Sequence, residues 1–512
     1  MLAERILSIT EEMMALYSPT NTAGERAVEE YLLRQLQQMP YFQQHEKQCG
    51  ACPVPEDVWQ RSCIYGLVLG KSRRTVIYMG HHDVVDTSAY GRLSEIATSP
   101  EALRKALAET QLNDEAHEDL LSGKWLFGRG SCDMKGGTAA QLAVLESYAD
   151  KPQDGSLLFL SVPDEESFSA GMRGCLPLLD RLRKQYNLSY ELAVNCEPNS
   201  RSQGVQTVYS GTVGKLLPCV LVQGRPVQIG SYYDGINPVA LVAAIVSRTE
   251  ADKAMIESEG EEKTVPPVWN FMRDFKQVYD FSLPRRAGAY CNVLTFKRQA
   301  GEVLDWLQEN CGQAAAEVMV KIGSAEQIPV LSYAQLLAKV QKLEGFDEFM
   351  ASLQKQMQAK RQQDFPSLSL WAMEQVLDFA QITDPIIVIG FAPPFYPSLQ
   401  SRRLRDGFTA VENFLQQHFP VRIARYFMGI SDCSYLGADG SAAAAFRANT
   451  PVWGSLYSFD GQILSQLQIP FLLLGPWGKD LHQRTERVHI ESLCRELPEM
   501  LQILNRFIWQ TR

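Results

Sequence analysis

No apolar run in the 512-residue chain reaches the roughly 18–20 residues that a helix needs to cross a bilayer, so no membrane span is expected. The start, Met1-Leu2-Ala3-Glu4-Arg5-Ile6, puts charges inside what would be the apolar part of a secretion signal. Positive charge is not in excess. The formal net charge is −10, which argues against non-specific nucleic-acid binding but leaves room for a locally positive site. Cysteines are not clustered: eleven are scattered along the chain, and the nearest pair, Cys49 and Cys52, stands alone. Reduced thiols and a cytoplasmic location are expected, and a structural zinc site is not. Repeats, low-complexity tracts, a Walker A pattern and a dinucleotide-binding glycine fingerprint are all missing. Histidine is scarce, at seven, so each one near a carboxylate can be weighed singly.

What is present is ordinary soluble composition, 45% hydrophobic and 21% charged. The length exceeds what one core organises, so more than one domain is expected. Apolar residues at helical spacing predict a helix over 2–17. A second follows over 24–38, with Thr22 or Asn21 as its cap. Residues 63–69 and 74–79 read as strands paired across Gly70-Lys71-Ser72. Residues 87–122 are polar and helix-forming, an excursion over the surface. A helix over 138–148 and strands over 156–162 and 191–195 come next. This alternation predicts an α/β fold with a mostly parallel central sheet and helices on both faces. The character changes near Gly204. Strands are predicted over 212–223, 290–297 and 385–391, the last stopped by Pro393-Pro394. Helices are predicted over 239–247, 301–321 and much of 333–380. Residues 1–204 and 396–512 are thus expected to form one domain, with 205–395 inserted as a second. A last strand is expected over 471–474.

Acids and histidines gather at the predicted strand ends, where open α/β sheets bind ligands. The strand 74–79 runs into Gly80-His81-His82-Asp83. Asp133 lies in a glycine-punctuated turn, 156–162 ends in Pro163-Asp164-Glu165-Glu166, and 191–195 ends in Cys196-Glu197. His482 follows the last strand. Adjacent acids repel unless a cation neutralises them. Imidazole with carboxylate suits one or two zinc-like divalent ions, zinc first, with cobalt or manganese as alternatives. A pair of ions can generate hydroxide at neutral pH, and one Glu of the 165–166 pair can serve as base while its neighbour ligates. A carboxylate two residues from an imidazole, as Asp83 is from His81, can fix its tautomer. His82 reads as structural, His45, His117 and His418 as surface residues, and His489 as packing or surface.

The segments Gly80-His81-His82-Asp83-Val84-Val85, Gly128 to Gly137, Asp164-Glu165-Glu166, Glu197-Pro198 and His482 with Glu486 together resemble the carboxypeptidase G, aminoacylase and succinyl-diaminopimelate desuccinylase family of zinc metallopeptidases, peptidase family M20. Asp234 to Pro238, Ile430 to Leu436 and Gly475 to His482 resemble its RocB-like branch, associated with arginine utilisation. The resemblance implies that Asp133 bridges two metals, that Glu166 and His482 complete one site, and that Glu197 and His81 complete the other. It also implies Glu165 as general base, Asp83 as the residue orienting His81, and the inserted domain as a lid that closes over substrate and often dimerises. The family usually carries a lid histidine for the oxyanion; Gln228 occupies that place here, near Asn237, and losing one such donor costs on the order of 100–1000-fold in turnover.

The expected function is a metal-dependent hydrolase that cleaves an amide bond of a small peptide or N-acyl amino acid, with a homodimer through the lid as a further expectation. No nucleic-acid or membrane partner is expected. The alternative, resting on Gln228, is a weakly active or inactive metal-binding homologue with a regulatory role; retention of Glu165 speaks against it.

Overall fold

The Arg74–His81 strand is apolar along its length, and its alternate residues Val76 and Tyr78 pack into the core beneath one sheet face. In a computed structural model, which describes residues 2–438 and 443–510, this strand lies at the centre of a mixed sheet. The order from one edge is Cys49–Pro53, Ser62–Val68, Ser156–Val162, Arg74–His81, Ser189–Asn195, Phe471–Leu473, Val205–Tyr209 and Val421–Ala424. The four middle strands, from Ser156–Val162 to Phe471–Leu473, are mutually parallel, and antiparallel pairs flank them. The helices Leu2–Ala15, Glu25–Gln38, Lys135–Ala149 and Leu497–Gln510 contribute Ile9, Leu32, Leu142 and Leu504 to one continuous core. Because the middle strands are parallel, their carboxyl ends share one edge of the sheet, and the expected acids and histidines are delivered there.

This sheet and its helices form one unit, Met1–Thr212, Leu399–Gly437 and Gln462–Arg512; Val213–Ser398 and Ala438–Gly461 form another. The second unit has its own sheet, ordered Val268–Asp274, Arg286–Thr295, Gly214–Gln223, Ile386–Tyr396 and Val330–Ser332. Its core draws on Pro238–Thr249, Ala300–Lys321 and the three helices Tyr333–Val340, Phe346–Ala359 and Phe365–Phe379.

Several sequence expectations need correction. Residues 63–69 and 74–79 do not form a hairpin, because the Ser156–Val162 strand lies between them. The intervening turn sends its backbone N–H groups elsewhere: Lys71 donates to the Gln153 carbonyl at 2.8 Å and Ser72 to that of Asp154 at 2.8 Å, which draws in the third strand. The helix Glu25–Gln38 is capped by Gly24, not by Asn21 or Thr22, although the Thr22 hydroxyl accepts the Gly24 N–H. The Ile386–Tyr396 strand passes through Pro393-Pro394. The register shifts there, from Leu217 opposite Ala392 to Lys215 opposite Tyr396, so the prolines sit in an irregularity where ladder donors are not needed. The expected boundary at 205 leaves out a strand of the first sheet, Val205–Tyr209. Residues 438–461 belong to the second unit, because Phe446, Val452 and Tyr457 pack into its core. Cys49 and Cys52, the nearest cysteine pair, lie on a strand, where residues three apart face opposite ways; all eleven cysteines are free. The polar excursion builds a small core of its own from Tyr90, Leu103, Leu107 and Leu120, packed with Trp125 and Phe127.

Gly137 shows how closely the site-bearing segments approach. A Cβ there would lie 2.2 Å from the Cys196 carbonyl oxygen, the residue before Glu197. Gly137→Ala is expected to destabilise the first unit by about 1–3 kcal/mol through overpacking. Gly312→Ala, in the open middle of Ala300–Lys321, is expected to stabilise the second unit by about 1 kcal/mol. Denaturant unfolding of the two variants measures both signs.

Candidate metal centre

His81 closes its strand with its ring fully buried, and the two ring nitrogens face different surroundings. Nδ1 lies 3.0 Å from the Asp83 carbonyl and 3.4 Å from its carboxylate. Nε2 faces three acids: Asp133 at 3.2 Å, Glu197 at 3.2 Å and Glu165 at 4.0 Å. Burial alone would lower the pKa of this ring, but Glu197, Asp133 and Asp83 raise it well above the usual histidine value.

Asp133 occupies the middle of the cluster. One carboxylate oxygen lies 3.2 Å from His81 Nε2, and the other lies 3.1 Å from His482 Nε2. Burial pushes its carboxyl up, but the two imidazoles pull it well below the usual range. His482 Nε2 also lies 3.2 Å from Glu166 Oε1. Its hydrogen bonds to Asp133 and Glu166 push the His482 pKa up to about 10.

Glu165 and Glu166 both reach the cluster because the chain turns sharply before them. Asp164 has a φ of 70° and points away, where its carboxylate accepts from Arg61 Nη1 at 2.8 Å and from the Ala170 N–H at 3.0 Å. The same Arg61 nitrogen donates to Glu25 at 2.7 Å, and Glu25 accepts the Asp164 N–H at 2.9 Å. Beyond this turn, the Asp83 carboxylate accepts the N–H of Glu165 and of Glu166, each at 3.1 Å. Asp83 therefore ties the His81 strand end to both glutamates. Burial raises the pKa of Glu165, Glu166 and Glu197, against the pull of His81; Glu197 reaches about 7. Crowded acids in this state favour a cation among them.

The donor set fits divalent metal. Ligand atoms of His81, Asp133 and Glu166 lie within 4.8 Å of one another, and so do those of His81, Glu165 and Glu197. All are imidazole nitrogens or carboxylate oxygens, as zinc, cobalt and manganese accept. The seven sequence-predicted residues His81, Asp83, Asp133, Glu165, Glu166, Glu197 and His482 therefore come together in the first unit. Gln228 and Asn237 belong to the second. Gln228 is exposed before a short 3-10 helix, and the Asn237 side chain caps Pro238–Thr249 by accepting the Val239 N–H at 3.0 Å. His82 is buried, with Nδ1 3.0 Å from the Ser161 hydroxyl, and is structural. His45, His117 and His418 are exposed, and His489 packs against Trp125 and Trp477.

Two features lay beyond the roles read from sequence. Glu486 and Arg129 form a buried ion pair that joins the turn before Asp133 to the loop of His482. Glu486 also accepts the Gly130 N–H at 2.7 Å, while Arg129 Nη2 donates to the His482 carbonyl at 3.1 Å. Burial pushes Glu486 up to about 8 despite Arg129. The second feature is Asp432, fully buried among site groups. Burial pushes it up to about 7, Ser169 and His81 lower it, and Asp83 and Glu197 raise it further. Its signal was the segment Ile430 to Leu436, which stood out without a role.

Known proteins place this arrangement. The model of peptidase family M20/M25/M40 matches residues 109–510. YqjN of Bacillus subtilis (strain 168) is 29% identical over 523 residues, covering 97% of this chain and 95% of that protein. Protein RocB of the same organism is 28% identical over 542 residues, covering 98% and 94%. Among solved structures, the YXEP protein of Bacillus subtilis, described as a dinuclear metal-binding peptidase of the M20 family, superposes with a TM-score of 0.52. It is 12% identical and covers 100% of this chain and 99% of that one, a likeness of fold. The chain belongs to peptidase family M20/M25/M40, and it is a hydrolytic enzyme.

Proposed function

We propose that this protein hydrolyses the amide bond of a small peptide or N-acyl amino acid at a centre of two divalent cations, zinc first. The observation that carries this reading is Asp133, set between His81 Nε2 and His482 Nε2 with one oxygen toward each. A carboxylate so placed could be shared between two cations. His81 and Glu197 would complete one metal position, and Glu166 and His482 the other. When bound, such a pair supplies a water acidified toward neutrality and polarises the scissile carbonyl.

The chain's own groups do the remaining work. Glu165 accepts the proton of the attacking water at its carboxylate and returns it to the leaving amine. Burial raises its pKa above the usual carboxylate range, the direction that makes a carboxylate a stronger base. Asp83 keeps Glu165 and Glu166 in register with His81 through their backbone N–H groups. The second unit would act as a lid, with Gln228 and Asn237 toward the oxyanion and substrate. It would also carry a homodimer contact, since its edge strand Val268–Asp274 exposes Val268 and Met272. Likeness to RocB supports a place in arginine or amino-acid catabolism, and the free cysteines suit a cytoplasmic location.

Metal analysis of protein purified without chelator is expected to give about two ions per chain, with loss in His81→Ala. No metal after incubation with zinc, cobalt or manganese would sink the reading. Glu165→Gln is expected to keep both ions and to lower turnover of N-acyl amino acids or dipeptides, arginine-containing ones included, by about 100–10,000-fold. The regulatory alternative, whose support is Gln228, predicts instead that wild-type protein binds metal and turns over none of these substrates.

A further inference from the structure

The proposed ligands are not held equally. The side chains of His81, Asp133, Glu166 and Glu197 are at most 10% exposed, whereas that of His482 is 50% exposed. Core packing therefore cannot aim the His482 ring. His482 has a φ of 64° and sits in the loop of a hairpin between Gly478–Lys479 and Arg487–His489. The hairpin continues onto Trp125–Phe127.

Both ends of the loop converge on one carboxylate of the polar excursion. Asp119, in the helix Asp114–Ser122, accepts from Lys479 Nζ at 2.8 Å and from Arg487 Nε at 2.7 Å through the same oxygen. Arg487 is fully buried and has its guanidinium over the rings of Trp125 and Phe127, so water screens its pairing with carboxylates only weakly. It also pairs with Asp480 and donates to the Thr485 carbonyl at 3.0 Å, and the Thr485 hydroxyl closes back on Asp480 at 2.7 Å. Arg484 Nη2 donates to the Gln111 carbonyl of the excursion at 2.7 Å. Lys479 has a second partner, Glu115 at 2.7 Å, but that carboxylate is 66% exposed and contributes little. Asp119, only 15% exposed, is the group on which both strands of the hairpin depend.

We infer that Asp119 is a positioning residue for His482: by clamping Lys479 and Arg487 it aims the imidazole at Asp133 and Glu166, and so sets the affinity of one metal position and not the other. The inference rests on the two-metal reading. It gives the excursion over 87–122 a task at the site, although none of its residues belongs to the ligand set.

The test is titration of metal-stripped protein with Co2+, followed by absorption and by calorimetry, with thermal unfolding alongside. Wild type is expected to fill two positions. Asp119→Ala is expected to fill one with unchanged affinity and the other about 10–100-fold more weakly, as loss of an outer partner does. His482→Ala is expected to weaken the same position further. Asp119→Asn keeps an acceptor without the charge; it should fall between wild type and Asp119→Ala, and it serves as the test if the alanine variant does not fold. Affinities at both positions unchanged from wild type in a folded Asp119 variant, or equal weakening of both, would overturn the inference. A wild type that binds no Co2+ would overturn the two-metal reading itself, a separate outcome.

Discussion

Repulsion among buried carboxylates is the constraint on which the first unit turns. Parallel strands deliver Glu197 and the Glu165–Glu166 pair to the same sheet edge as His81; the turn before the helix Lys135–Ala149 adds Asp133, and the hairpin loop adds His482. Burial and neighbouring acids lift Glu165, Glu166 and Glu197 in pKa, whereas Asp133, set between two imidazoles, is lowered. Such a cluster folds only if positive charge lies inside it. The chain places two histidines there, and the remaining negative charge is what makes a cation centre chemically reasonable.

Main-chain groups carry much of the precision. Asp83 was expected to orient His81, and its carbonyl and carboxylate do lie at Nδ1; but its carboxylate oxygens are also occupied by the N–H groups of Glu165 and Glu166. One side chain thus couples the ring on one strand to two acids on the next. Glu486 does the same between the Gly130 turn and the hairpin, with Arg129 satisfying its charge. These are longer-range counterparts of a capping interaction, and they need the tertiary fold before they exist.

This explains what could be read from sequence and what could not. The strand 156–162 matched in full because its apolar heart, Leu157 to Leu160, is buried on both faces. His81, Glu165, Glu166 and Glu197 were legible because each stands at or just after the end of a buried strand, and Asp133 because of the glycines around it. The supposed hairpin at 70–72 failed because sequence adjacency says nothing about a third strand inserted between neighbours. Residues 438–461 were misplaced because their allegiance depends on where Phe446 and Tyr457 are buried, not on local pattern. Asp432, Glu486 and Asp119 carry no periodic signal at all. Their importance lies in what they face.

The Arg61 knot has a consequence for the charge of the centre. Three consecutive acids leave the Ser156–Val162 strand, yet the left-handed turn at Asp164 and its bond to Arg61 send one of them elsewhere. Asp133, Glu165, Glu166 and Glu197 then face the proposed metal positions, with Asp83 and Asp432 behind them. Ionised together, the four facing acids carry as much negative charge as two divalent cations carry positive. On the proposed two-cation reading, the four facing acids would offset the metal charge, and preference among substrates would rest on the groups around the scissile bond rather than on the metals.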